Sequence, residues 1–304
     1  MERRNFMQQS VLAGASLLSG AALNANPREK APAGTPFNLY YGIHDGMFAE
    51  NAGPDFLDQI RWAYDMGFRA MEDNDMMKRP KEQQQKIGDL MAKLGMRMGV
   101  FVIDDGDNWS TSFTTGKKEF TDKFVNYCHE AVETAKRTHA KWMTVVLGYF
   151  DRDLPLGIQT GNVIDLLRRC VEIFEPAGLV MVIECLSDNP DLYLRHSADG
   201  YALCRAVNSP SCKVLFDMYH MQRNEGDIIQ HLDWAWDEIG YLQIGDNPGR
   251  NEPSTGEMNY KNIFKHVYGK GYKGILGMEH GTQNPGKAGE LALIKAYRDC
   301  DNFL

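Results

Sequence analysis

The chain has 304 residues, 43% of them apolar and 24% charged, a size and balance that suit one large soluble core. A formal net charge of -8 argues against a nucleic-acid binder, which presents a basic face, and no tandem repeat or low-complexity tract points to a solenoid or a disordered polymer. Six cysteines, at 128, 170, 185, 204, 212 and 300, show no CxxC pair and no zinc spacing, so they read as small buried hydrophobes.

The first residues differ in kind from the rest. Arg3-Arg4-Asn5-Phe6-Met7 precedes an apolar, small-residue run from Val11 to Leu23, which is the pattern of a twin-arginine export signal over residues 1–25, with cleavage near Ala25. The plainer alternative is a frayed N-terminal helix. That run is short for a bilayer span and is followed by Pro, Gly and charge, so no stable membrane insertion is expected after processing. Residues 26–36, rich in Pro, Ala and Gly, read as a linker without fixed structure. A working signal places the folded chain in the periplasm; without one it stays in the cytoplasm.

From Phe37 onward a strand-then-helix pattern repeats. Strands are expected over Phe37–Ile43, Ala70–Asn74, Met96–Asp104, Trp142–Leu147, Leu179–Cys185, Cys212–Asp217, Tyr241–Ile244 and Gly274–Glu279. Helical spacing of apolar residues covers Pro54–Met66, Lys81–Leu94, Lys118–Thr138 and Val163–Phe174, with shorter stretches at Ser197–Val207, Asp227–Glu238, Tyr260–Tyr268 and Ala288–Asp301. Eight strands with crossover helices predict an α/β fold closed as a (β/α)8 TIM barrel over residues 37–304. An open doubly wound sheet would want a glycine fingerprint after the first strand, and Gly42-Ile43-His44-Asp45-Gly46 is not one.

Active sites of such barrels lie at the C-terminal ends of the strands. Four late strands end in a polar residue: Glu184 on the fifth, Asp217 on the sixth, Gln243 on the seventh and Glu279 on the eighth. Side chains alternate along a strand, so Glu184 shares a face with Val182, and Glu279 with Gly277 and Ile275. Three carboxylates and an amide brought together would repel one another and titrate upward unless a cation sat among them. An all-oxygen set suits one hard divalent ion, Mg or Mn. The plain alternative is a set of strand-end acids capped by loop amides. His44 and Trp109 follow the first and third strands and are placed to line the pocket, while Glu72 and Asp73 end the second strand with no role assigned.

The loop from Asp246 to Asn259, after the seventh strand, is long, polar and rich in Pro and Gly. Its words Asp246-Asn247-Pro248-Gly249-Arg250-Asn251-Glu252-Pro253 and Gly256-Glu257, with Gln243 before them and Phe216-Asp217-Met218-Tyr219-His220-Met221-Gln222 upstream, resemble the hydroxypyruvate isomerase family, a branch of the xylose-isomerase-like barrels. The similarity runs from about Phe37 to the C-terminus. It implies that Glu184, Asp217, Gln243 and Glu279 are the metal ligands, and that His220 and Arg250 bind substrate. The ketose 3-epimerases of the same superfamily carry histidine where this chain has Gln243, which favours the isomerase branch.

The reaction so implied moves a proton between neighbouring carbons of a small hydroxy-carbonyl compound through an enediolate, with Glu184 and Glu279 as acid and base. Hydroxypyruvate would become tartronate semialdehyde. Because export and an intracellular metabolite sit uneasily together, an exported ketose 3-epimerase or keto-sugar lyase using the same glutamates stays open, as does a sugar-binding barrel without turnover. A multi-metal endonuclease would need many strand-end histidines and a basic surface. Relatives pair as dimers or tetramers, so a homo-oligomer is a further implication of the resemblance.

Overall fold

The computed structural model describes residues 34–304, so the export-signal reading and most of the linker reading lie outside the described residues. Eight parallel strands, β1 (Tyr40–Ile43), β2 (Ala70–Met71), β3 (Arg97–Met98), β4 (Trp142–Val145), β5 (Val180–Glu184), β6 (Cys212–Asp217), β7 (Ile239–Gln243) and β8 (Ile275–Gly277), run in the order β3-β2-β1-β8-β7-β6-β5-β4. The two outer strands meet through a parallel bridge between Val102 and Thr144. There Ile103 N–H donates to the Thr144 carbonyl at 3.0 Å, and Thr144 N–H to the Phe101 carbonyl at 2.8 Å. The sheet is thereby closed into the expected barrel.

Every expected strand is present, but the early ones form short ladders. β2 and β3 are two residues long, yet the chain keeps its extended course: Gly99 N–H donates to the Met71 carbonyl at 2.6 Å and Asp73 N–H to the Val100 carbonyl at 3.1 Å. Irregular pairing, not a change of direction, shortens them.

Around the barrel lie α1 (Ala49–Ala52), α2 (Phe56–Asp65), α3 (Lys81–Leu94), α4 (Lys118–Thr138), α5 (Leu156–Phe174), α6 (Ser197–Val207), α7 (Met218–Asn224), α8 (Ile228–Ala235), α9 (Tyr260–Gly269) and α10 (Gly286–Asp301). The spacing of apolar residues locates α3, α4 and α6 to the residue. α5 begins before the expected Val163 because its first turns are mostly exposed and carry no apolar period. Gln159 anchors them by donating to the Asp151 and Leu154 carbonyls, each at 2.8 Å. α7 was not expected. It starts because Asp217, the last residue of β6, also caps it by accepting from Tyr219 N–H at 2.7 Å.

Two apolar layers result. A large one joins strands to helices, through residues such as Phe68, Phe124, Phe174 and Phe264. The smaller fills the barrel itself with Ala70, Val100, Trp142, Val182, Leu215, Tyr241 and Ile275. This inner floor sets the height of everything above it. Among the described residues no helix is long and apolar enough to cross a membrane.

Candidate active site

Residues two apart on a strand share a face, so the floor residues dictate which side chains stand above them. Two positions beyond Ala70, Trp142, Val182, Leu215, Tyr241 and Ile275 come Glu72, Thr144, Glu184, Asp217, Gln243 and Gly277, all buried. The barrel interior therefore turns from wholly apolar to largely polar in a single layer. Glu279 stands one layer higher, with its side chain 24% exposed at the rim.

These side chains converge. One ligand atom each from Glu184, Asp217, His220 and Glu279 lies within 4.8 Å of the others. Arg250 leans over the group: its Nη2 is 2.9 Å from Glu279 Oε2 and 3.3 Å from Asp217 Oδ2, and its Nε donates to the Glu279 carbonyl at 3.2 Å. The guanidinium also sits 4.8 Å above the Tyr219 ring. Asn74 donates to Glu279 Oε1 at 2.7 Å, so that carboxylate is held from two sides.

Burial sets the acid-base character of the cluster. It pushes Glu184 well above the ordinary glutamate range, with the charges of Glu279 and Asp217 adding to the shift. Burial also raises Glu279 and Asp217, against the opposing pull of Arg250. The same loss of water lowers His220 to about 4, which leaves its ring neutral at neutral pH. His220 Nδ1 accepts from Ser187 N–H at 3.2 Å and lies 2.8 Å from Ser187 Oγ. A ring nitrogen that accepts from a backbone amide carries no proton, so the proton is on Nε2. Nε2, 3.4 Å from Asp217 Oδ2, is then a hydrogen-bond donor facing the carboxylates rather than a lone pair.

Beside the acids, His220 Nε2 and Gln243 Oε1 have no hydrogen-bond partner, and neither has Thr144 Oγ1 in the same barrel layer. Buried polar atoms are nearly always satisfied, so orphans beside three acids mark a place built for something else. Three carboxylates and an amide oxygen make a hard-oxygen set of the kind that holds a divalent cation.

Other expected residues fall at different distances from this centre. His44 lies on the rim after β1, 3.2 Å from the His280 carbonyl through Nε2, and lines a cavity of about 500 Å³ with Glu72, Asn74 and Glu279. Trp109 is 46% exposed on the loop after β3 and is not among that cavity's lining. Asp73 is taken up by an ion pair with Arg79, which also pairs with Asp45 at 2.7 Å. His280 is buried, stacked on Tyr297 and 2.7 Å from its hydroxyl, and serves packing.

The loop after β7 divides its labour. Only Arg250 of its charged residues reaches the acids. Asp246 instead braces the loop, accepting from Gly256 N–H at 2.9 Å and Met258 N–H at 3.0 Å, and Glu252 accepts from Gln283 N–H at 2.9 Å. Gly256 must lack a side chain, since a Cβ there would lie 1.7 Å from the Asn247 carbonyl oxygen. Asn74 and Ser187 are contributors that sequence reasoning missed, because hydrogen bonding to a ligand side chain leaves no mark in periodicity or spacing.

An eight-stranded parallel barrel with strand-end acids gathered at its C-terminal rim defines a class of α/β enzyme scaffold. The sequence family described as Xylose isomerase-like TIM barrel matches residues 60–300, and the chain belongs to it. Among curated relatives, it is 35% identical over 140 residues to the hydroxypyruvate isomerase of Escherichia coli K12, covering 45% of this chain and 54% of that one. To the 2-oxo-tetronate isomerase of Cupriavidus necator it is 37% identical over 122 residues, 40% of this chain and 46% of the relative. These matches span about half the length of both relatives. Among solved structures, the 3-keto-D-glucoside 4-epimerase of E. coli shares the fold with a TM-score of 0.72 at 16% identity, over 86% of this chain and 100% of that one.

Proposed function

We propose that the chain is a metal-dependent isomerase of a small hydroxy-carbonyl compound, working on substrates of the hydroxypyruvate and 2-oxo-tetronate kind. The observation that carries this reading is the convergence of Glu184, Asp217 and Glu279 beside the unpartnered Gln243 oxygen. Glu184, Asp217, Gln243 and Glu279 would hold one divalent ion, Mg or Mn by the hardness of the oxygen set. When bound, such an ion supplies Lewis acidity that polarises a carbonyl and offsets the negative charge of an enediolate.

The remaining work falls to the chain. One of Glu184 and Glu279 takes the proton from the carbon beside the carbonyl, and the other delivers a proton to the neighbouring carbon. Carboxyls raised by burial suit this exchange, because each holds a proton more readily than an exposed glutamate does. His220, neutral with its proton on Nε2, donates to a substrate oxygen. Arg250 offers a fork that fits the carboxylate of a keto acid.

A second reading, an exported keto-sugar isomerase, epimerase or lyase, is favoured by the cavity beside the acids. At about 500 Å³ it exceeds what a three-carbon acid fills, and Asp45, Asp73 and Asp75 line it with Arg79 already paired to two of them. Such a wall accepts hydroxyls and repels a second carboxylate. Proton–deuteron exchange followed by NMR, on hydroxypyruvate, 2-oxo-tetronate and a panel of ketoses, with and without chelator, separates the readings. Exchange confined to the acids supports the first; exchange confined to sugars supports the second; exchange on none contradicts both.

We also propose export through the twin-arginine run. Cell fractionation of the full chain against a variant with Arg3→Lys and Arg4→Lys tests it, and equal cytosolic retention of the two overturns it.

A further inference from the structure

We propose that Glu72 is a positioning residue: from the end of β2 it fixes the Gln243 amide with its oxygen, not its nitrogen, toward the bound cation. The inference rests on the cation reading above and concerns a residue that gives no oxygen to the acid cluster itself.

Glu72 is 2% exposed, and the partners of its carboxyl are both neutral donors. Tyr241 donates its hydroxyl to Oε2 at 3.0 Å, and Gln243 Nε2 reaches both carboxyl oxygens at 3.4 Å. The fold gives up two side chains to house this arrangement. A Cβ at Gly277 would lie 1.9 Å from Glu72 Oε2, and one at Gly99 would lie 2.2 Å from the Tyr241 hydroxyl. A buried acid lodged where two strands are stripped to glycine is a built feature, and a group must profit from it.

Gln243 is that group. An amide has one face that attracts cations and one that repels them, and nothing in its shape decides which way it turns. Turned over, it would set its oxygen against the two oxygens of Glu72 and present its NH2 to the ion. With Glu72 in place, the NH2 is engaged below and Oε1 is left buried and unpartnered, free to ligate. Tyr241 stops the carboxyl from rotating away. A neutral ligand thus acquires a defined polarity from a residue 171 positions earlier in the chain.

The test titrates the metal-stripped full chain with Mn2+, by calorimetry and by the EPR signal of free Mn2+, in a double-mutant cycle. Glu72→Leu keeps bulk and removes the acceptor; its Mn2+ affinity should fall ~10–100-fold, the range seen for outer partners of metal ligands. In a Gln243→Ala background the same substitution should cost nothing further, because Glu72 acts through the amide. Circular dichroism checks folding. Should Glu72→Leu fail to fold, Tyr241→Phe releases the carboxyl more gently, and its several-fold loss of affinity should likewise vanish without Gln243. Unchanged affinity in the variant that is measured, or equal losses in both backgrounds, overturns the role of Glu72. A parent chain that does not bind Mn2+ overturns the cation reading instead.

Discussion

The two halves of the barrel rim are built differently. Strands β5 to β8 are three to six residues long, with one register shift between Val214 and Leu215, and carry Glu184, Asp217, Gln243 and the approach to Glu279. β2 and β3 pair over two residues each, and their continuations carry Glu72, Asp73, Asn74 and the loop of Trp109. The longer strands deliver side chains at a set height, which reacting groups need; the two-residue ones leave room for a cavity and for residues that hold other residues. The late rim gathers the acids, and the early rim holds Gln243 and Glu279 by hydrogen bonds and lines the cavity beside them.

The sharpest way to break this division is to neutralise the late acids one at a time. Glu184→Gln or Glu279→Gln should lower substrate proton exchange by ~10²–10⁴-fold, the scale of a lost general acid or base, with the fold intact by circular dichroism. Asn74→Ala removes the early rim's hold on Glu279 and should cost less. A hydrogen bond to a charged group is worth ~1.5–3 kcal/mol, so exchange should fall by about 10- to 100-fold. If Asn74→Ala cost as much as Glu279→Gln, the rim would not divide as described.

The acid cluster also makes a pH prediction. Glu72, Glu184 and Glu279 are raised above the ordinary glutamate value of 4.5, so the folded, metal-free chain binds more protons than the unfolded one as pH rises past that value. Their contribution to stability is then full below 4.5 and is lost as pH climbs through the raised values, whereas buried His220, lowered to about 4, and His280, lowered to about 3, cost stability as pH falls below 6.5. Above pH 6.5, where the buried histidines are neutral in both states, the Tm of chelated protein should drop as pH rises, and saturating Mn2+ should flatten that drop. Parallel curves with and without Mn2+ would show that no ion shares the acids. The smallest effect is expected at Trp109, 46% exposed and outside the cavity lining: Trp109→Ala should change stability and substrate binding by no more than about 0.5 kcal/mol. A larger rise in KM would move the substrate pocket toward β3.

Much of this was legible in the residue order. The alternation Val182–Glu184 and Leu215–Asp217 is enough to put acids above an apolar floor, and the apolar period of α3, α4 and α6 needs no tertiary information. What escaped has a physical reason in each case. α7 depends on Asp217 serving two elements at once, a strand end and a helix cap, and neither use looks unusual alone. Gly277 reads as barrel filling beneath Glu279, whereas it clears space for Glu72, from a strand on the far side of β1. Asp246 and Glu252 lie beside Arg250 in the chain, yet their oxygens are spent on backbone amides of their own loop and of the segment at Gln283. Contacts between distant strands decide such roles, and a linear pattern does not record them.

The central claim is that carboxylates from separate late strands share one cation. Calorimetric titration of the metal-stripped full chain with Mn2+, beside the Glu184→Gln/Glu279→Gln double variant, tests it most directly. The account predicts a single saturable site in the parent and its loss in the variant. An absence of saturable binding in the parent, or undiminished binding in the variant, would contradict it.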